Sequence, residues 1–159
     1  IDKNFLFVNS GYNLRITDVQ ASFGIEQLKK FNKFLNTRKK NAHKLQNFIS
    51  KNLEHLLFQK ETLAGESSYF GFPIIFKKNS KIKIKEFRKH LTKNRIETRP
   101  IICGNIALQP AMKLFKHKII GSLQNSTYVM NNGLAIPNHQ NINENDIKKM
   151  KIALKEFFK

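Results

Sequence analysis

Phe70, Phe72, Ile74 and Phe76 fall on alternate residues of the stretch 69–76, and this alternation constrains the fold more than any other feature of the chain. A strand with one apolar face needs neighbouring strands and a layer to cover that face. Pro73 lies inside the stretch without a backbone N–H, so the strand is expected at a sheet edge or a bulge. The surrounding segments carry helical spacing instead. Val19, Phe23, Leu28, Phe31 and Leu35 mark a helix over 17–36, and Ala42, Leu45, Ile49, Leu53 and Leu56 mark a second over 37–58. Gly24 inside the first costs about 1 kcal/mol relative to Ala, which points to a close backbone neighbour. Ile84, Phe87 and Leu91 give a helix ending near Asn94, and residues 95–100 read as a second strand. Short helices near 107–115 and 123–131 and a strand at 134–136 follow. A terminal helix is capped by Asn143, with Ile147, Met150, Leu154 and Phe157 as its stripe. Irregular alternation of strands and helices predicts an α+β fold, with helices on one side of an antiparallel sheet.

Ahead of the first helix, a short apolar run at 5–8 reads as a strand that leads into the polar turn Ser10-Gly11-Tyr12-Asn13-Leu14-Arg15. Thr17 reads as the N-cap with Gln20 three residues on, the pattern of a capping box. Asn13 and Arg15 precede a positive helix end, where phosphate or carboxylate binds readily, and the Arg fork suits either group. A second candidate site is Glu97-Thr98-Arg99. It ends a predicted strand just before Pro100, whose ring pushes Arg99 toward an extended conformation and opens a Gly-containing loop.

The net charge of +18 makes a basic nucleic-acid-binding module a rival reading. The charge comes from 24 Lys against 5 Arg, spread through every segment together with 18 Asn. Specific base readers lean on Arg forks and aromatic platforms, and here the Phe residues fall mainly at core-like spacings, so nucleic acid is an unlikely partner. Cys103 is the single cysteine, which excludes an internal disulfide. His43, His55, His90 and His117 lack ligand spacing, so no metal site is expected. No apolar run is long enough for a membrane span, and a cytoplasmic protein is expected.

The string from Gly11 to Ala21 resembles the G-[YF]-N-x-R-x-[ST]-D-x-Q-A-A signature of the DegT/StrS family of pyridoxal-phosphate-dependent nucleotide-sugar enzymes, with Ser22 in place of the last Ala. Residues 96–110, with Thr98-Arg99-Pro100, Gly104-Asn105 and Gln109-Pro110, resemble the substrate-contacting segment of its 3-dehydratase branch. Residues 121–126 and 132–139, ending in Pro137-Asn138-His139, continue that likeness in order. The resemblance implies the small C-terminal domain of a fold-type I transferase, preceded by interface and linker helices. Residues 1–36 would end the large domain, 37–60 link the two, and 61–159 form the small domain. It implies pyridoxal or pyridoxamine phosphate as cofactor, contacted by Asn13 and Arg15. Glu97, Thr98, Arg99 and Asn105 would contact a nucleotide-linked sugar, in a homodimer with a shared active site. The implied activity is 3-dehydration of a nucleotide-linked 4-keto-6-deoxyhexose, with 4-amination by a related aminotransferase as the alternative. The chain starts without Met and in mid-pattern, and none of its Lys residues stands in the family's cofactor-anchoring motif. It therefore reads as a fragment without a catalytic residue of its own.

Overall fold

The computed structural model describes residues 6–9, 11, 17–78, 80 and 82–159. Asn13 and Arg15 lie outside the described residues. Helix α1 spans Asp18–Asn52 as one element, not the two expected. Thr17 caps it through the expected box, its side chain accepting from the Gln20 N–H while the Gln20 side chain accepts from the Thr17 N–H. Thr37, the expected start of a second helix, instead donates its hydroxyl to the Lys33 carbonyl one turn back at 2.9 Å. Nothing at that point breaks the backbone ladder, so the helix continues. It ends at Leu53, and residues expected to stay helical form strand β1, Leu56–Phe58.

Strand β2, Gly71–Phe76, lies at the centre of a three-stranded antiparallel sheet, between β1 and β3, Gly133–Pro137. Pro73 is thus in the middle strand, contrary to the edge or bulge expected. Opposite it is Ala135, whose N–H and C=O both bond Arg99 on the other side. The 73–135 pair therefore exchanges no hydrogen bonds, and the Pro73 nitrogen faces β1 just past its last partnered residue, Phe58 opposite Ile74. A missing N–H costs little there. Phe72, Ile74 and Phe76 are buried as the alternation predicts, whereas Phe70 falls outside the strand and is exposed.

Helix α2, Ile84–Lys93, and helix α4, Glu144–Glu156, join α1 over the buried sheet face. Ala42, Leu45 and Ile49 of α1 meet Phe87 and Leu91 of α2 and Ile147, Met150 and Leu154 of α4 in a single core. Asn143 caps α4 as expected, with Asp146 completing a second capping box. Phe76, Phe87, Phe157 and Phe158 form an aromatic cluster, with Phe87 4.9 Å from Phe157 and 5.1 Å from Phe76 between ring centroids. Helix α3, Gln124–Asn132, leads directly into β3, and Tyr128 donates its hydroxyl to the Phe76 carbonyl at 2.6 Å. Short 3-10 turns at Ile106–Leu108 and Pro110–Leu114 replace the helix expected at 107–115.

Lys44 of α1 is paired with Glu144 at the start of α4. The bonded ammonium holds the Glu144 carboxyl below its ordinary value. A depressed carboxylate contributes stability above its unfolded-state value and loses it as pH falls through the folded-state value. Glu144→Gln should therefore lower the melting temperature slightly at neutral pH and leave it unchanged in acid. A difference that grows as pH falls would show the pair to be without effect.

Candidate functional site

The chain reaches the site through the exit of α2. Arg95 takes a left-handed φ of 59°, the Arg95 N–H bonds the Thr92 carbonyl, and the Ile96 N–H bonds the Leu91 carbonyl, both at 2.9 Å. This is a Schellman ending with Arg where Gly is usual, and Ile96 closes it by burying beside Leu91. The expected strand at 95–100 is displaced as a result. Its first residues are committed to the helix end, and only Arg99 pairs, as a single bridge to Ala135.

That bridge is tight. Arg99 N–H to Ala135 C=O is 2.9 Å and the return bond 2.7 Å, so the Arg99 backbone is fixed to β3. On its exposed side chain, Nη2 meets Glu97 Oε1 at 2.6 Å. Glu97 and Arg99 lie on the rim of a cleft of about 540 Å³ on the sheet face away from the core. Phe70, Pro73, Ile101, Ile102 and Ala135 provide its apolar walls. Thr98, between the two charged residues, is half-buried. A cleft with one charged pair at an apolar wall can orient a polar ligand that has an apolar side.

Asn105 is not brought to this cleft. It is 4% exposed; its Oδ1 accepts from the Ala107 N–H at 3.1 Å and its Nδ2 donates to Thr127 Oγ1 at 3.0 Å. Its amide caps a 3-10 turn and ties the loop to α3, with one bond at each polar atom. Cys103 is half-buried, and among the described residues no group of three or more His, Cys, Asp or Glu could hold a metal. His139 is exposed, its Nδ1 accepting from the Asn141 N–H at 3.2 Å. No helix of the described residues is long and apolar enough to cross a membrane.

A sequence model of the DegT/DnrJ/EryC1/StrS aminotransferase family matches residues 2–155. The chain belongs to this family. The GDP-4-keto-6-deoxy-D-mannose 3-dehydratase of Yersinia pseudotuberculosis is 37% identical over 156 residues, 98% of this chain and 39% of that protein. The protein of the same name from Escherichia coli O55:H7 is 37% identical over 140 residues, 87% of this chain and 35% of that protein. A solved structure described as the E coli 3-dehydratase with bound hydrated PLP matches with a TM-score of 0.80 at 37% identity, over 97% of this chain and 39% of that one. The Helicobacter pylori aminotransferase PseC shares the fold, with a TM-score of 0.75 at 20% identity over 93% of this chain and 39% of that one. The fold is that of the C-terminal part of these enzymes, and this chain spans less than two fifths of the relatives' length.

Two residues of this DegT-family chain hold the site, and although both stand in the motif at 96–110, neither is among the expected site residues. Gly104 takes φ +72°, and a Cβ there would come within 2.7 Å of the Met130 side chain. Gln109 is 2% exposed; its Oε1 accepts from the Phe7 N–H at 3.1 Å and its Nε2 donates to the Cys103 carbonyl at 3.2 Å. Leu6 to Val8 are accordingly not a sheet strand. They lie against residues 109–111, with the Ala111 N–H bonding the Phe7 carbonyl at 2.7 Å. Its place in the motif, immediately before Pro110, is a signal in the sequence, but a bonding partner 102 residues away has no local signature.

Proposed function

We propose that this chain is the C-terminal portion of a nucleotide-sugar 3-dehydratase that uses pyridoxal or pyridoxamine phosphate and acts on a nucleotide-linked 4-keto-6-deoxyhexose. The observation that carries the reading is the Glu97–Arg99 pair on the apolar cleft, in a chain 37% identical to two 3-dehydratases along most of its length. The proposed division is residues 1–36 as the end of a large domain, 37–60 as the link and 61–159 as the small domain. The cytoplasm is the expected location.

The donor set suits a phosphorylated cofactor. Asn13 and Arg15 bring an amide and a guanidinium, no carboxylate stands between Gly11 and Thr17, and the capped start of α1 follows. Pyridoxal or pyridoxamine phosphate, held through its phosphate by Asn13 and Arg15, supplies the electron sink for breaking bonds beside the sugar's keto group. Arg99 donates to hydroxyl or phosphate oxygens, Glu97 aims the guanidinium, and Thr98, between them in sequence, is the third substrate residue of this reading. Phe70, Ile101 and Ile102 take the apolar side of a deoxy sugar. Asn105, which caps the loop after the cleft wall, is the fourth substrate residue of this reading.

The second subunit of the proposed homodimer covers the first half of α1. Val19, Phe23, Ile25, Leu28 and Phe31 are between 53% and 75% exposed, more apolar surface than one short helix face ordinarily leaves to water. A Cβ at Gly24 would meet no atom within 4 Å in this chain, so the close approach inferred for this glycine falls to the second copy.

Incubating the full-length protein with pyridoxal phosphate, glutamate and GDP-4-keto-6-deoxymannose tests the reading. A 3-deoxy product is expected, and a 4-amino sugar would establish the aminotransferase alternative. The shared site has its own test. Full-length Asn13→Ala subunits mixed with subunits inactivated at the cofactor-anchoring position should regain activity, since each hybrid dimer holds one intact site. No recovery in verified mixed dimers would refute sharing.

A further inference from the structure

We infer that Gln109 is a positioning residue for the substrate cleft. The inference rests on the nucleotide-sugar reading above and adds to it a residue that touches no ligand. Gln109 is buried, and its amide bridges two segments that no other side chain joins among the hydrogen bonds described. On one side Nε2 holds the carbonyl of Cys103, the residue that follows the cleft-lining Ile101 and Ile102. On the other side Oε1 holds the N–H of Phe7, in the segment that runs on in sequence toward Gly11 and the cofactor turn.

The backbone around it makes this bridge decisive. Pro110, next in sequence, has no N–H to offer, so the Phe7 segment takes its two bonds from the Gln109 side chain and the Ala111 N–H. The opposite end of the cleft loop is fixed where Arg99 pairs with Ala135. Between these anchors lie Pro100, Ile101 and Ile102, which form the cleft wall. Removing the amide takes the partner from the half-buried Cys103 carbonyl at one end of that wall and from a backbone N–H on the other segment, and both then seek new partners. The wall shifts relative to Arg99, and ligand affinity falls although no contact to the ligand is deleted.

The test measures calorimetric affinity of the full-length protein for GDP-mannose, which lacks the 4-keto group and does not react, in wild type, Gln109→Leu, Arg99→Ala and the double variant. Gln109→Leu is expected to weaken binding about tenfold with an unchanged circular dichroism spectrum. In the Arg99→Ala background its effect should shrink below about threefold, because the two residues act through one wall. Equal affinity in Gln109→Leu, or the same factor in both backgrounds, would overturn the inference. A wild type that binds no GDP-mannose would instead overturn the nucleotide-sugar reading on which it rests.

Should Gln109→Leu fail to fold, Gln109→Glu carries the test. A protonated Glu retains one donor and one acceptor, whereas the ionised form sets a negative oxygen against the Cys103 carbonyl. Burial raises a carboxyl's pKa, so its affinity relative to wild type should be nearest parity in acid and fall about tenfold as the pH rises and the group ionises. A ratio that stays flat with pH would also overturn the inference.

Discussion

Phe87→Ala is expected to destabilise the domain by about 3–5 kcal/mol, well beyond the loss of any single hydrogen bond. Phe87 is fully buried and sits between Phe76 of β2 and Phe157 at the end of α4, with Phe158 6.2 Å away. Truncation removes the whole ring from three neighbours, Phe76 of β2 and the consecutive Phe157 and Phe158 at the end of α4. A cavity at such a junction cannot collapse without moving β2 or α4, so the upper part of the range applies. Edge-to-face packing on Phe76 adds to the loss beyond buried area. Domains of this size are stable by about 5–15 kcal/mol in total, so the variant should be partly unfolded at body temperature. Urea unfolding followed by circular dichroism measures it. A midpoint shift equivalent to under about 1 kcal/mol would mean that the aromatic cluster is not the centre of the core.

On the proposed function, Arg99→Ala in the full-length protein should reduce kcat/KM for the nucleotide sugar by about tenfold to a hundredfold, equivalent to about 1.5–3 kcal/mol for a charge-assisted hydrogen bond. The Arg99 backbone is held by two bonds to Ala135, and its guanidinium is aimed by Glu97 at 2.6 Å. Both bonds to β3 come from the main chain and survive the substitution, so the fold should be unaffected. Pyridoxal phosphate affinity should change little, because the proposed phosphate donors, Asn13 and Arg15, stand in a separate segment of the sequence. Spectrophotometric cofactor titration beside steady-state kinetics separates the two. Equal losses in cofactor and sugar affinity would remove Arg99 from the sugar side of the site. The ion pair itself adds little to stability, since both side chains are more than half exposed.

Local signals were legible wherever the physics is local. The Thr17 box, the Asn143 cap, the stripe Ile147, Met150 and Leu154, and the buried alternation of Phe72, Ile74 and Phe76 all stand in the structure. Capping joins groups three residues apart and side-chain period is a property of one element, so neither needs a partner to be read. The family motifs were legible too, and the family match confirms what they implied about membership.

Tertiary structure decided what depends on distant partners. The central place of β2 despite Pro73 follows from Ala135 turning its hydrogen bonds toward Arg99, some distance along the chain. The short bridge at Arg99, in place of a strand, follows from Arg95 and Ile96 closing the end of α2. The same apolar period that buries Ala42, Leu45 and Ile49 leaves Phe23, Leu28 and Phe31 in the open, because period states which side of a helix is apolar and not what covers it. Asn105 and Gln109 carry no burial signal in the sequence, and both are buried. Their amides are satisfied by Thr127, Ala107, Cys103 and Phe7, and the bond to Phe7 spans 102 residues. A buried amide is stable only when its partners are in place, and those partners meet only once the chain has folded.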